Sequence, residues 1–245
     1  MLSGKPWRAE AVVLFILAQA ACVILGALVT VLLQKLQING FKNLDDFGCT
    51  LLGTISFQGA TLVLIPFFLR YHDVSLGEGL GFRKKNVVSS LLLALAVIAI
   101  VLPVALWLQG ESVVLMQKIG WKVSDEESVS MVKGATLLAQ QIYLGFYAIV
   151  MVPIAEEFIF RGVLFSCVKQ LGFPKTAWIG VSLLFAVIHA NAPVFIPLFL
   201  LALALTWLYV FTDNLLAPIF GHALFNAANL VLLALETHYP KYFQL

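Results

Sequence analysis

The chain has 245 residues, of which 61% are hydrophobic and 11% charged, against about 25% charged in an average soluble domain. A deficit spread along the whole length excludes a soluble domain with a single anchor and implies a polytopic membrane protein. A formal net charge of +2, with no basic tail and no run of mixed aromatic and basic residues, gives no footing for nucleic acid.

Lys5 and Arg8 precede an apolar run, as in a signal peptide, and AQAAC at 18–22 has the look of a cleavage or lipid-attachment site. Gln19 stands where a lipobox wants Leu, however, and the apolar run continues to Leu33. The segment therefore reads as an uncleaved first transmembrane helix. Including this one, apolar windows fall at 11–33, 51–69, 87–108, 137–165, 177–191, 193–212 and 214–235. A helix crosses the hydrocarbon core in about 20 residues, and a backbone in lipid must satisfy its own hydrogen bonds, so these windows are helices rather than barrel strands. The short window 177–191 and the long one 137–165 suit tilted, broken or re-entrant helices. The expected fold is an all-α polytopic transmembrane bundle of about seven to eight helices. Its expected divisions are N-terminal helices and loops over 1–136, a polar-bearing core over 137–235 and a tail over 236–245.

Between the windows, residues 70–86 hold Arg70, Arg83, Lys84 and Lys85 and form the densest basic loop, which places that loop and the N-terminus in the cytoplasm. The full count, eight basic residues on that side against six on the other, is a weak bias. Residues 109–136 mix Lys with Asp125, Glu126 and Glu127 and read as an exposed loop with room for a surface helix. Cys22, Cys49 and Cys167 are odd in number and far apart; they read as apolar fillers. The chain shows no internal repeat, and His72 and His238 read as loop residues without a role.

Ionisable side chains inside a membrane cost about 2.5–3.5 kcal/mol each at its centre. Here they gather in the C-terminal half, as Glu156, Glu157, Arg161, His189 and His222, with the amide of Asn226 one turn past His222. The N-terminal windows have almost none. Glu157 and Arg161 are i,i+4 and can pair, while Glu156 points about 100° away and stays free for another task; a structural ion pair explains one acid and leaves the second over. His189, near a helix end marked by Asn191 and Pro193, is by itself more often a packed histidine than a base. Phe185, at i−4, reads as its packing neighbour. His222 and Asn226 share a face and can donate two hydrogen bonds to one oxygen, as in an oxyanion hole; ordinary interhelical hydrogen bonding accounts for the pair equally well.

Three motifs stand in order: Glu156-Glu157-x-x-x-Arg161, Phe185-x-x-x-His189 and His222-x-x-x-Asn226. Their pattern resembles that of the intramembrane glutamate-type proteases, the family that includes the Rce1-type CAAX prenyl endopeptidases and the bacterial bacteriocin-processing and immunity proteins. The resemblance covers about 137–235, and the GLGFRKK stretch at 79–85 is similar to that family's short connection. It implies an intramembrane endopeptidase acting on membrane-associated peptides or proteins, in which Glu156 and His189 activate water, His222 and Asn226 hold the oxyanion, and Glu157 and Arg161 support the site. No Ser or Cys nucleophile is arranged for covalent catalysis, and a carboxylate with an imidazole suits general-base activation of water.

Other readings stay open beside it. Glu156, His189 and His222 can supply a two-His, one-carboxylate zinc site, although the reading carried forward needs no cofactor. The fold can also act as a non-catalytic scaffold or regulator of membrane proteins. A transporter or proton relay is disfavoured by the missing repeat of broken helices. The expected location is a bacterial cytoplasmic membrane with lipid around the bundle.

Overall fold

The computed structural model describes residues 7–36, 46–79, 87–123 and 127–238. Lys5, Lys42, Arg83, Lys84, Lys85, Asp125, Glu126, Lys241 and all but the first residue of the GLGFRKK stretch lie outside the described residues.

All the regular structure described is helical, in nine helices. These are α1 (Ala9–Leu36), α2 (46–71), α3 (Leu76–Gly79), α4 (Val87–Lys118), α5 (Glu127–Gly134), α6 (138–170), α7 (Pro174–Ile188), α8 (Ala192–Thr212) and α9 (Leu216–His238). Each apolar window becomes one helix, and α3 and α5 are short connections. Five helices are long and apolar enough to cross a membrane: α1, α2, α4, α8 and α9. Large apolar side chains point outward along them, such as Leu14, Leu25, Val63, Phe67, Ile100 and Phe211. On an integral membrane protein such surfaces face lipid.

Helix α4 corrects the reading of 109–136 as a loop. It continues ten residues past the apolar window to Lys118. Thirty-two residues make about 48 Å of helix against a hydrocarbon core of about 30 Å, so one end of α4 leaves the membrane, where charged residues are no objection to helix. Within that extension Ser112 is buried and donates to the Leu108 carbonyl one turn back, satisfying its hydroxyl inside the helix. Helix α7 is the opposite case. Its 15 residues rise about 22 Å, too little to cross the core. It ends at His189, and Ala190 (φ 49°) turns the chain through the left-handed region into Asn191 and the start of α8.

Helix α8 is apolar all round, as a helix packed on several sides must be. Leu201, Leu205 and Leu208 pack with Ala94, Ile98 and Ala105 of α4. The adjoining stripe of Ala202 and Tyr209 joins a second cluster with Phe158, Phe165 and Phe185. Thr206, between Ala202 and Tyr209 on that stripe, is fully buried. At the periphery, α1 meets α2 closely enough that a Cβ on Gly26 would collide with Ser56, a small-residue contact of the kind membrane helices use.

Three π-helical stretches interrupt the helices: Ile55–Gly59 in α2, and Tyr147–Met151 and Phe158–Phe165 in α6. A π turn breaks the regular i→i−4 ladder, and a buried carbonyl displaced from it needs another donor. In each stretch a side chain from a different helix or the N-terminal segment provides one. Gln19 of α1 donates to Phe57 O at 2.9 Å, Asn226 of α9 to Ala148 O at 2.8 Å, and the Trp7 indole to Gly162 O at 2.7 Å. Gln19, which argued against a lipobox, is thus buried and holds α1 to α2.

His72 is a second correction. It is buried, its Nδ1 donates to Phe68 O at 2.8 Å, and its Nε2 accepts from the backbone N–H of Arg8 at 3.0 Å. Together with Trp7, packed edge-on to Phe68 and His72, it fixes the start of α1 against α2 and α6. Trp7→Phe keeps the ring contacts and removes the donor to Gly162 O. An unpaired buried carbonyl costs about 1–3 kcal/mol, so the variant is expected to melt earlier in detergent; an unchanged midpoint would mean that water satisfies the carbonyl.

Candidate active site

Glu156 and Glu157 lie at the end of the α-helical turn Val152–Glu157, between the two π stretches of α6. Both side chains are buried, Glu157 completely. The Arg161 guanidinium, also wholly buried, donates through Nη1 to Glu157 Oε1 at 2.8 Å. Its Nη2 donates to Ala202 O at 3.0 Å and its Nε lies 3.4 Å from the Thr206 hydroxyl, both on α8. The cation sits 4.9 Å from the centre of the Phe185 ring. A buried charge is tolerable when its donors are occupied, and Arg161 meets this by tying α6, α7 and α8 together.

Glu157 also takes the second helix of the site. His222 Nδ1 lies 2.9 Å from the same Oε1 that accepts from Arg161. A carboxylate only accepts, so Nδ1 carries the hydrogen. The expected pair of Glu157 with Arg161 forms, and the acid also joins Arg161 to His222 and orients that imidazole. In the neutral ring Nε2 is then a lone pair; in the imidazolium it is a donor.

His189 is oriented in a similar way. Its Nδ1 is 2.7 Å from Phe185 O. The carbonyl can only accept, so Nδ1 holds the hydrogen and the neutral ring presents its lone pair at Nε2. Phe185 lies at the centre of the group, fully buried. Its ring is 4.9 Å from that of His189, 5.7 Å from that of His222 and 5.1 Å from that of Phe160.

Glu156 is left for both histidines. Its carboxylate is within electrostatic reach of the His222 and His189 rings. Its Oε2 is buried and makes no hydrogen bond, as is the case for Glu157 Oε2. The site thus holds one acid committed to neighbours through a shared oxygen and one with an uncommitted oxygen near two imidazoles.

Asn226 differs from expectation. One of its amide hydrogens is spent on Ala148 O, in the π stretch just before Glu156. The side chain therefore buttresses the turn that leads into the acid pair and keeps one N–H for any other partner. The His222–Asn226 pair does not stand as two free donors. Among the described residues no group of three or more His, Cys, Asp or Glu side chains is arranged to hold a metal ion.

Motif reading missed the groups that support Arg161. Thr206, Ser182 and the Ala202 carbonyl carry no charge, and their only sequence signal is a hydroxyl or small residue inside an apolar window. The Thr206 hydroxyl donates to Ala202 O at 2.8 Å and lies 3.4 Å from that of Ser182. The N-terminal half, with almost no ionisable groups in its windows, still buries the uncharged polar side chains of Gln19, Thr54, Gln58 and Thr61.

Residues 138–228, the span that carries all seven residues of the three motifs, match the family model described as type II CAAX prenyl endopeptidase Rce1-like. No curated protein and no solved structure matches the chain.

Proposed function

We propose that this chain, whose residues 138–228 match the family model of type II CAAX prenyl endopeptidases, is an intramembrane endopeptidase of glutamate type. Glu156 is its general base, and its substrates are membrane-associated peptides or proteins. One observation carries the assignment: Glu156 keeps a buried, unpartnered oxygen beside two histidines, while Glu157 is engaged by Arg161 and His222.

Water held between Glu156 and the His189 Nε2 lone pair gives a proton to Glu156 as its oxygen bonds to the peptide carbonyl carbon. The carbonyl electron pair moves to oxygen. That oxyanion accepts from the second N–H of Asn226 and from Nε2–H of His222 in its imidazolium form, whose Nδ1–H remains on Glu157. Collapse breaks the C–N bond, and Glu156 returns its proton to the departing amine. Arg161 takes no part in proton transfer; it fixes Glu157 and, through it, the His222 ring. In this scheme no step runs through a metal.

A cavity of about 280 Å³, lined only by apolar side chains including Leu91, Ile149, Ile154, Ile219 and Ala223, opens between α4, α6 and α9. Ile154 and Ala223 are two and one positions from Glu156 and His222. The cavity supports a substrate that brings an apolar or lipid-bearing segment beside the scissile bond.

The reading is tested by comparing new protein N-termini in membranes of cells making the wild-type chain or Glu156→Gln at equal abundance. Termini present only with the wild type identify substrates; identical sets would remove the protease assignment. Asn226→Ala separates its two roles. As an oxyanion donor, its loss lowers kcat by about 10²–10³ with little change in KM. As a buttress alone, it lowers the melting temperature and leaves kcat per folded molecule within a few-fold.

A further inference from the structure

Among the described residues of α2 and α6, apart from Glu157 Oε2, the buried side-chain oxygens without a hydrogen bond are Gln58 Oε1, the Tyr143 hydroxyl and Glu156 Oε2. They sit on two segments in contact, because the π stretch Ile55–Gly59 of α2 packs on the Val152–Glu157 turn of α6. Gln58 is 5% exposed, and Thr54 and Thr61 of the same helix are buried with it. The side chains of Gln58 and Thr54 lie near the Tyr147 hydroxyl. Tyr143 stacks on Tyr147 with ring centroids 6.2 Å apart.

Helix winding shows how this face is assembled. At about 100° per residue, nine positions of regular helix would put Glu156 opposite Tyr147. The π stretch Tyr147–Met151 has more residues per turn, so the winding lags and Glu156 comes round towards the tyrosines. The second π stretch, in α2, carries Gln58 to the other side of the same space. Stretches of this kind recur at functional sites.

Buried polar atoms in native proteins find partners. Gln58 Oε1 can only accept, and beside a protease's general base the donor that regularly arrives is a peptide N–H. We infer that Gln58, on the N-terminal half of the chain and outside the three motifs, is a substrate-binding residue whose Oε1 accepts a backbone N–H of the peptide lying before Glu156. This rests on the protease reading above. Thr54 and Tyr147 are positioning residues for the Gln58 carboxamide, and Tyr143 lines the same wall.

The test uses a fluorescence-quenched peptide built on a cleavage site found by the N-terminus comparison, with the full chain in lipid nanodiscs. Gln58→Met removes the acceptor at nearly equal volume. KM is expected to rise about 3–10-fold with kcat within twofold. Replacing backbone amides of the peptide one at a time by esters removes single N–H donors. At one position the ester is expected to raise KM by a similar factor on the wild type and to add nothing on Gln58→Met. A Gln58→Met effect on kcat alone, or ester and mutation effects that multiply at every position, would overturn the inference and mean that Gln58 holds water or only packs. Should Gln58→Met fail to fold, the ester series on the wild type still decides: no position with a raised KM defeats the proposal. If Glu156→Gln changes no N-termini, the protease reading fails first and Gln58 falls with it. If Glu156 is required and Gln58 is indifferent, only the present inference fails.

Discussion

Glu156→Gln is expected to abolish peptide hydrolysis by purified protein in lipid while binding of the quenched peptide stays within a few-fold of wild type. The substitution keeps the shape of the side chain and removes its ability to take a proton. General-base catalysis is worth about 10²–10⁴ in rate, so kcat should fall by at least that range. Among the described residues Glu156 makes no ion pair: Arg161 and His222 both bind Glu157. Its loss as a charge should thus leave the fold intact, and an unchanged melting temperature is part of the expected result. Activity retained within tenfold would move the base to Glu157 or a histidine. The metal alternative is checked on the same preparation by elemental analysis and a chelator challenge. Stoichiometric zinc whose removal and return switch activity off and on would overturn the glutamate mechanism.

Arg161→Ala is expected to be the most destabilising single change in the site, by about 3–5 kcal/mol, because it leaves a buried carboxylate without its cation. Glu157 is wholly buried, and its remaining partner is His222. The loss also frees two anchors on α8, the Ala202 carbonyl and the Thr206 hydroxyl. Thermal unfolding in detergent reads the effect directly. The double variant Glu157→Leu/Arg161→Met removes both charges and should recover much of that loss, since apolar replacements of a buried pair are often neutral or better. It should stay inactive, because His222 Nδ1 then has no acceptor and the ring is no longer oriented. An active double variant would show that the pair serves stability alone; a stable Arg161→Ala would show that water reaches Glu157.

How legible these features were depended on how local their causes are. The windows 11–33, 51–69, 193–212 and 214–235 became helices with ends a few residues away, because apolarity over a membrane's thickness leaves the backbone no other solution. The end of α4 was illegible: Glu111 and Gln117 halt an apolar pattern without halting a helix that has already left the lipid. His72 looked like a loop residue, and only its contacts with Arg8 and Phe68 make it structural.

By itself, the sequence determined that this protein is a membrane-embedded helical bundle with its charged groups on three successive segments, and that Glu157 pairs with Arg161. Each of these follows from composition or from an i,i+4 spacing within one helix. Only the tertiary structure decided how the two acids divide their work. His222 crosses from α9 to Glu157, Asn226 reaches the π stretch before Glu156, and Gln58 approaches from α2. Spacing along one helix cannot reveal which side chain from another helix arrives, and a π turn shifts every later residue round the axis without an evident mark in the sequence. In a low-dielectric interior each buried donor or acceptor must be met or left at a cost, so the pairing is settled by the assembled bundle and cannot be read helix by helix.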